Sequence, residues 1–169
     1  MKQTDPLLVL VVEDNDELRD QIIEIINQTV FYQAIGATNG ADALVTINDH
    51  KRWFGFKENA IKCVILDINM PIMNGLEFLK ELRKQENHLF KTSIPVIFLS
   101  AYEDSEKWNE VIHHRVIEYL KKPFEDSTLL SLMDRVIRNQ EAGEISHNTR
   151  SKAFDKRREF YHKEQMNQL

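Results

Sequence analysis

The sequence predicts an α/β domain in which a parallel sheet lies between two layers of helices. Short apolar runs without a polar position occur at Leu7–Val12, 63–66 and 95–99, and weaker candidates at Tyr32–Ala37 and 118–120 complete a set of five. Uninterrupted apolar runs suit strands that are covered on both faces, as in a parallel sheet. Strand-like and helix-like segments alternate five times along the chain, and this order implies right-handed crossover connections.

Each predicted strand is followed by a predicted helix. The first helix begins after Asn15 or Asp16, either of which is a suitable N-cap, and the fifth begins near Asp126 or Ser127. The fourth, at 105–114, is mostly polar and should be exposed and loosely held. The positions at helical spacing are Leu18, Ile22, Ile25 and Ile26 in the first helix, Ala41, Leu44, Val45 and Asn48 in the second, Leu76, Leu79 and Leu82 after Gly75 in the third, and Leu129, Leu132, Met133, Val136 and Ile137 in the fifth.

Two segments lie outside this pattern. Residues 50–59 lengthen one connection and contain Trp53, Phe54 and Phe56, which either pack on the domain itself or form a surface for a partner. Residues 141–169 have no strand pattern and carry a net charge of +1, whereas residues 1–140 carry −6. We therefore expect one domain over 1–140, followed by a tail or linker over 141–169 that is helical or disordered and has no domain of its own.

Composition excludes several classes of protein. The 169 residues have a formal net charge of −5 without a long block of like charge, which argues against direct binding to nucleic acid or to a membrane surface. The single cysteine excludes an internal disulfide and a multi-cysteine zinc site. No apolar run approaches the roughly 18 residues of a membrane span. A cytoplasmic location is therefore expected.

Unusual polar residues follow the predicted strands. Glu13 and Asp14 come directly after the first strand, Asp67 after the third, Ser100 after the fourth and Lys122 just past the fifth. The carboxyl ends of parallel strands meet at one edge of the sheet, where ligands bind in open α/β folds. The pattern therefore predicts that three carboxylates, a hydroxyl and an ammonium group converge.

These residue types suit the formation of a phosphorylated aspartate. Crowded carboxylates repel one another and need a cation, and oxygen ligands with room for water favour Mg²⁺. A carboxylate oxygen can act as the nucleophile toward phosphorus. The negative charge of the incoming phosphoryl oxygens can be neutralised by Mg²⁺ and a lysine, while a serine hydroxyl donates a hydrogen bond to the new group.

Four motifs make the chain resemble the receiver domain of response regulators in two-component signalling. They are VVEDND at 11–16, VILDINMPIMNG at 64–75, PVIFLSA at 95–101 and YLKKPF at 119–124. The resemblance extends from residue 7 to about residue 140. It implies a flavodoxin-like (βα)5 fold, a doubly wound parallel sheet with strand order 2-1-3-4-5.

The resemblance also implies a phosphoacceptor and a metal site. Asp67 matches the phosphoacceptor aspartate of the family. Glu13 and Asp14 match the acidic pair that holds Mg²⁺ together with Asp67, and Asn69 would contribute its main-chain carbonyl. Lys122 matches the lysine that pairs with the phosphoryl group, and the peptide bond before Pro123 is cis in the family, which would aim Lys122 inward.

The remaining site residues are also implied by the resemblance. Ser100 matches the switch hydroxyl, and Tyr119 matches the aromatic side chain that moves inward when this hydroxyl engages the phosphoryl group. Asn69 and Tyr102 fall at rim positions that tune dephosphorylation in the family. One departure concerns Val116 and Ile117, which replace the small residues that are common before the switch tyrosine and would crowd the end of the fourth helix. The connection that holds Trp53 is also longer than is common.

The implied function is a signalling switch and not an enzyme, beyond its own phosphorylation and dephosphorylation. A sensor histidine kinase or a histidine phosphotransfer protein would donate the phosphoryl group, and a changed protein surface would be the output. Three arrangements stay open. The chain is a stand-alone receiver acting on a protein target, its tail forms a homodimer, or it is the receiver portion of a longer regulator with a cyclase, phosphodiesterase or kinase effector domain.

A phosphatase of the haloacid dehalogenase type is the competing interpretation, because it also uses a Mg²⁺-assisted aspartate at a strand end. That family has a second aspartate two positions after the nucleophile, where this chain has Asn69. Its nucleophile also follows the first strand, where Glu13 and Asp14 stand here. Both differences favour the receiver.

Overall fold

The computed structural model describes residues 6–50, 60–89, 93–101 and 118–141. These ranges contain a five-stranded parallel sheet in the order β2-β1-β3-β4-β5. The predicted fold class and strand order are therefore confirmed. The strands are β1 (Leu7–Val12), β2 (Tyr32–Ala37), β3 (Ile61–Asp67), β4 (Val96–Ser100) and β5 (Glu118–Lys121), and the helices are α1 (Asp16–Asn27), α2 (Gly40–Asp49), α3 (Gly75–Leu89) and α4 (Asp126–Glu141).

The sheet separates two apolar cores. Because consecutive side chains of a strand point to opposite faces, each uninterrupted apolar run supplies both cores. In β1, Leu10 and Val12 face the core under α2 and α3, while Val9 and Val11 face the core under α1 and α4. All four side chains are fully buried. The absence of polar positions in the strand sequence thus has a direct structural cause.

Helix starts follow from capping side chains. The Asn15 side chain accepts a hydrogen bond from the main-chain nitrogen of Leu18 at 2.9 Å, so Asn15 and not Asp16 caps α1. The last helix, α4, begins at Asp126, the first of the two predicted starts. Near its other end, Gln140 Nε2 donates to the carbonyl oxygen of Ser93 at 2.7 Å, which fastens the end of the helix beside the start of β4.

The second predicted helix is present as α2, but not every position that its helical spacing picked out is buried. Leu44 packs against the core, whereas Val45 is 59% exposed and the fully buried side chains are those of Ala43 and Ile47. The rotation of the helix is set at its first residue, Gly40, whose main-chain nitrogen donates to the carbonyl oxygen of Met73 at 3.0 Å. This close approach turns the side of α2 that carries positions 40, 43 and 47 toward the sheet.

Several predictions concern residues outside the described ranges. These are the polar helix at 105–114, the three aromatic residues of the 50–59 segment, Tyr102, the pair Val116 and Ile117, and residues 142–169 of the tail. Glu141 is the last residue of α4. Among the helices that the structure describes, none is long and apolar enough to cross a membrane.

Candidate functional site

Three carboxylates meet at the carboxyl edge of the sheet. Glu13 and Asp14 follow β1, and Asp67 is the last residue of β3, which pairs with β1 in parallel. One carboxylate oxygen from each of the three residues lies within 4.8 Å of the other two. Glu13 and Asp67 are buried, whereas Asp14 is exposed. The cluster therefore has two shielded members and one side that is open to solvent.

A lysine reaches the two buried carboxylates. The ammonium nitrogen Nζ of Lys122 lies 2.7 Å from Glu13 Oε2 and 2.6 Å from Asp67 Oδ1. The main-chain nitrogen of Lys122 donates to the carbonyl oxygen of Ser100 at 2.8 Å, which places the residue at the end of β5 beside β4. The peptide bond between Lys122 and Pro123 is cis, as the resemblance implied.

The charges of this cluster are unbalanced. Burial raises the pKa of Glu13, and the nearby Asp67 raises it further, against the opposing effect of the Lys122 hydrogen bond. Burial opposes the charge of Lys122, but the hydrogen bonds and charges of Asp67 and Glu13 outweigh it and raise the pKa of Lys122. One ammonium group thus faces three carboxylates, and the excess of negative charge is suited to a divalent cation.

The main chain after β3 holds the Asp67 carboxylate from its other side. The main-chain nitrogen of Asn69 donates to Asp67 Oδ2 at 2.8 Å, so each carboxylate oxygen of Asp67 has a donor. Gly75, at the start of α3, packs against this turn. A Cβ atom at position 75 would lie 2.3 Å from the carbonyl oxygen of Asp67, so any larger residue would displace the main chain there.

An open cavity of about 390 Å³ adjoins the exposed side of the cluster. The cavity is open to solvent and lies against Asp14. Its wall is the turn between β3 and α3, where Ile72 has a positive φ of 69° and is 84% exposed. The lining residues are Asp14, Ile68, Asn69, Met70, Pro71, Asn74 and Leu76.

Ser100 and Tyr119 lie on the neighbouring strands. Ser100 is the last residue of β4, one position beyond Leu99, which pairs with Asp67, and it is buried. The ring of Tyr119 stacks on that of Phe98, with centroids 5.9 Å apart and planes 18° from parallel. Tyr119 is 8% exposed and belongs to the core under α2 and α3.

The structure thus brings Glu13, Asp14, Asp67 and Lys122 together and places Ser100 on the adjacent strand end. Gly75 had no site role in the sequence analysis, although it ends the VILDINMPIMNG motif. A glycine directly after an asparagine, at the start of an apolar periodic segment, was the available signal for a close main-chain approach.

Comparison with known proteins finds the same family that the four sequence motifs resemble. The family model for the response regulator receiver domain matches residues 9–134. The chain is 28% identical to the regulatory protein VanRB of Enterococcus faecalis over 134 residues, 79% of this chain and 54% of the relative. It is 31% identical to the transcriptional regulatory protein HptR of Staphylococcus aureus over 132 residues, 77% of this chain and 46% of the relative. The chain spans about half the length of these curated relatives.

Solved structures agree in fold. A response regulator receiver protein from Pseudomonas putida has a TM-score of 0.64 and 26% identity, with 78% of this chain and 98% of that chain covered. The chemotaxis response regulator CheY4 of Vibrio cholerae has a TM-score of 0.62 and 27% identity, with the same two shares covered.

Proposed function

Because this chain belongs to the response regulator receiver domain family, whose members are signalling switches, we propose that Asp67 accepts a phosphoryl group with the help of Mg²⁺. One observation carries the proposal. The buried carboxylate of Asp67 lies beside two further carboxylates, within 4.8 Å, and beside the ammonium group of Lys122, at 2.6 Å. A nucleophilic oxygen, a candidate cation site and a fixed positive charge are the three parts that phosphoryl transfer to an aspartate needs.

The residues present fit Mg²⁺. Glu13, Asp14, Asp67 and the main-chain carbonyl of Asn69 would hold it, since Mg²⁺ prefers oxygen ligands and retains several waters. The open side at Asp14 leaves room for those waters. When bound, Mg²⁺ would neutralise negative charge on the phosphoryl oxygens as they approach the carboxylate.

The side chains have distinct roles in the transfer. A carboxylate oxygen of Asp67 forms a bond to phosphorus while the bond from phosphorus to the donor nitrogen of a phosphohistidine breaks, and the electron pair stays on the imidazole. Lys122 supplies positive charge beside the attacking carboxylate. Ser100 donates a hydrogen bond to the transferred group, and Tyr119 adjusts with it. The proposed chemistry consists of the phosphorylation of Asp67 and the hydrolysis of the resulting acyl phosphate.

The donor is a sensor histidine kinase or a histidine phosphotransfer protein, and the output is a changed protein-binding surface. A second arrangement is favoured by the share of the relatives that the chain covers, 54% of VanRB and 46% of HptR. On this reading the chain is the receiver portion of a longer regulator, and its output acts on an effector domain.

The test is the intact mass of the protein after incubation with Mg²⁺ and acetyl phosphate. We expect one added phosphoryl group in the parent, none in Asp67→Asn and none when EDTA is present. Asp49→Asn, which changes an exposed aspartate at the end of α2, is the matched control and should be labelled like the parent. Labelling that persists in Asp67→Asn would contradict the assignment of the acceptor. A parent protein that binds neither a phosphoryl group nor beryllofluoride would contradict the proposed function.

A further inference from the structure

Arg19 is a largely buried arginine whose two terminal nitrogens hold different parts of the turn between β1 and α1. Its Nη1 donates to the main-chain carbonyl oxygen of Glu13 at 3.1 Å. Its Nη2 lies 2.6 Å from the Asp16 carboxylate at the start of α1. Only 13% of the Arg19 side chain is exposed. The guanidinium group therefore joins Glu13, which follows β1, to Asp16 in the first turn of α1.

The stem of Arg19 is seated on the neighbouring strand. A Cβ atom at Gly36 in β2 would lie 3.0 Å from Ile23 Cδ1, 3.1 Å from Arg19 Cδ and 3.3 Å from Arg19 Nε, so the missing side chain at Gly36 makes room for Ile23 and for this stem. The next residue, Ala37, accepts a hydrogen bond from the main-chain nitrogen of Glu13 at 3.1 Å. The main chain of Glu13 is thus held through its N–H by β2 and through its carbonyl by Arg19.

We propose that Arg19 is a positioning residue for the metal site, because it fixes the peptide that joins Glu13 to Asp14. This inference rests on the proposed Mg²⁺ site and names a residue that would not itself touch the ion. With the carbonyl of Glu13 fixed, the Cα of Asp14 has a defined position, from which one carboxylate oxygen lies within 4.8 Å of oxygens of Glu13 and Asp67. Residues that orient metal ligands from outside the coordination sphere typically change metal affinity 10- to 100-fold when replaced.

The sign of the effect separates positioning from simple electrostatics. Replacing Arg19 with methionine removes a positive charge from the turn that carries Glu13 and Asp14. By Coulomb attraction alone, this removal strengthens the binding of a cation. If Arg19 instead orients the ligands, the same replacement weakens Mg²⁺ binding.

Arg83 offers a matched control at the other edge of the sheet. Like Arg19, it binds a carboxylate three positions away at 2.6 Å, here that of Glu86, and donates to a main-chain carbonyl, that of Ile94 at 3.0 Å. Its side chain is 10% exposed, close to the value for Arg19. Loss of Arg83 thus removes the same kinds of contact, an ion pair and a bond to a main-chain carbonyl, away from the carboxylates of the metal site. It is the harsher change of the two, because Glu86 is 2% exposed whereas Asp16 is 77% exposed.

The experiment is a calorimetric titration of the full chain with MgCl₂, with folding checked by circular dichroism in EDTA. We expect about tenfold weaker Mg²⁺ binding for Arg19→Met and an unchanged dissociation constant for Arg83→Met. If Arg83→Met does not fold, Arg135→Met serves as the control instead, because it removes an ion pair with Glu118. Arg19→Lys keeps the charge but reaches only one of the two acceptors, so we expect an intermediate dissociation constant.

Two outcomes would overturn the inference. One is Mg²⁺ binding by Arg19→Met that is as tight as in the parent or tighter. The other is an equal weakening in Arg19→Met and in the control variant, which would show a general loss of stability. If the parent protein itself does not bind Mg²⁺, the metal site of the proposed function fails instead, and the two failures are thereby distinguished.

Discussion

Two groups of buried charges lie at opposite edges of the sheet and are built differently. At the amino edge, Arg83 and Glu86 of α3 form an ion pair at 2.6 Å. The pair bonds both main-chain groups of Ile94, since Glu86 Oε1 accepts from its nitrogen at 2.7 Å and Arg83 donates to its oxygen at 3.0 Å. At the carboxyl edge, Lys122 pairs with Glu13 and Asp67, and the third carboxylate, that of Asp14, faces solvent.

The difference is one of charge balance. The amino-edge pair is electrically neutral, and its hydrogen bonds join α3 to Ile94, just before β4. The carboxyl-edge cluster carries more negative than positive charge and opens on a cavity. A balanced buried pair stabilises the fold chiefly because removing either partner leaves an unpaired buried charge. An unbalanced cluster is tolerated at some expense of stability and attracts a cation.

The sharpest test of this comparison is the free energy of unfolding of two single variants, measured with urea in EDTA. Glu86→Gln leaves the buried charge of Arg83 unpaired and should lower the free energy of unfolding by about 3–5 kcal/mol. Asp67→Asn removes one of three like charges and leaves Lys122 paired with Glu13 at 2.7 Å, so we expect a change of less than about 1 kcal/mol. Equal losses in the two variants would break the comparison.

Mg²⁺ should stabilise the protein through the carboxyl edge alone. At a concentration 100 times its dissociation constant, a ligand that binds only the folded state adds about 2.7 kcal/mol to the free energy of unfolding. We expect this increment in the parent protein and in Glu86→Gln, and a much smaller one in Asp14→Asn at the same concentration. The readout is urea unfolding with and without MgCl₂. An undiminished increment in Asp14→Asn would remove that residue from the metal site.

A third charged group, between β2 and α4, should give the smallest effect. The Tyr32 hydroxyl donates to Asp134 Oδ1 at 2.6 Å, and this bond, with Arg138, lowers the pKa of Asp134. Tyr32→Phe should therefore lower the free energy of unfolding at pH 7 by about 1 kcal/mol.

The pH dependence of that loss has a defined sign. A carboxyl group whose pKa is lowered by folding stabilises the protein above its unfolded pKa of about 3.9, and this contribution disappears as the pH falls through the folded value. The difference between the parent and Tyr32→Phe should thus be full at pH 7 and should narrow below about pH 4. A difference that does not vary with pH in urea unfolding would show that Asp134 is not involved.

Much of the fold could be predicted because the three central strands, β1, β3 and β4, contain uninterrupted apolar runs that supply both cores. The face of α2 could not, since apolar residues surround this short helix and its rotation depends on the contact between Gly40 and Met73, which are far apart in sequence. The carboxylates of the site were predictable from their positions after strands. The partners of Arg19 and Arg83 were not, because each arginine donates to a main-chain carbonyl, which leaves no mark in the sequence.

The hydrogen bond from Gln140 to Ser93 has a consequence for how a signal leaves the domain. The 16-residue helix α4 is about 24 Å long at 1.5 Å per residue, and it begins near the edge of the sheet that holds Asp67. Its far end is tied to the segment before β4, at the opposite edge. The helix therefore ends at a fixed point on the far side of the domain. Because this end is anchored, a displacement that starts near Asp67 and reaches it is expected as a tilt or shift of the whole helix and not as unwinding of its last turn.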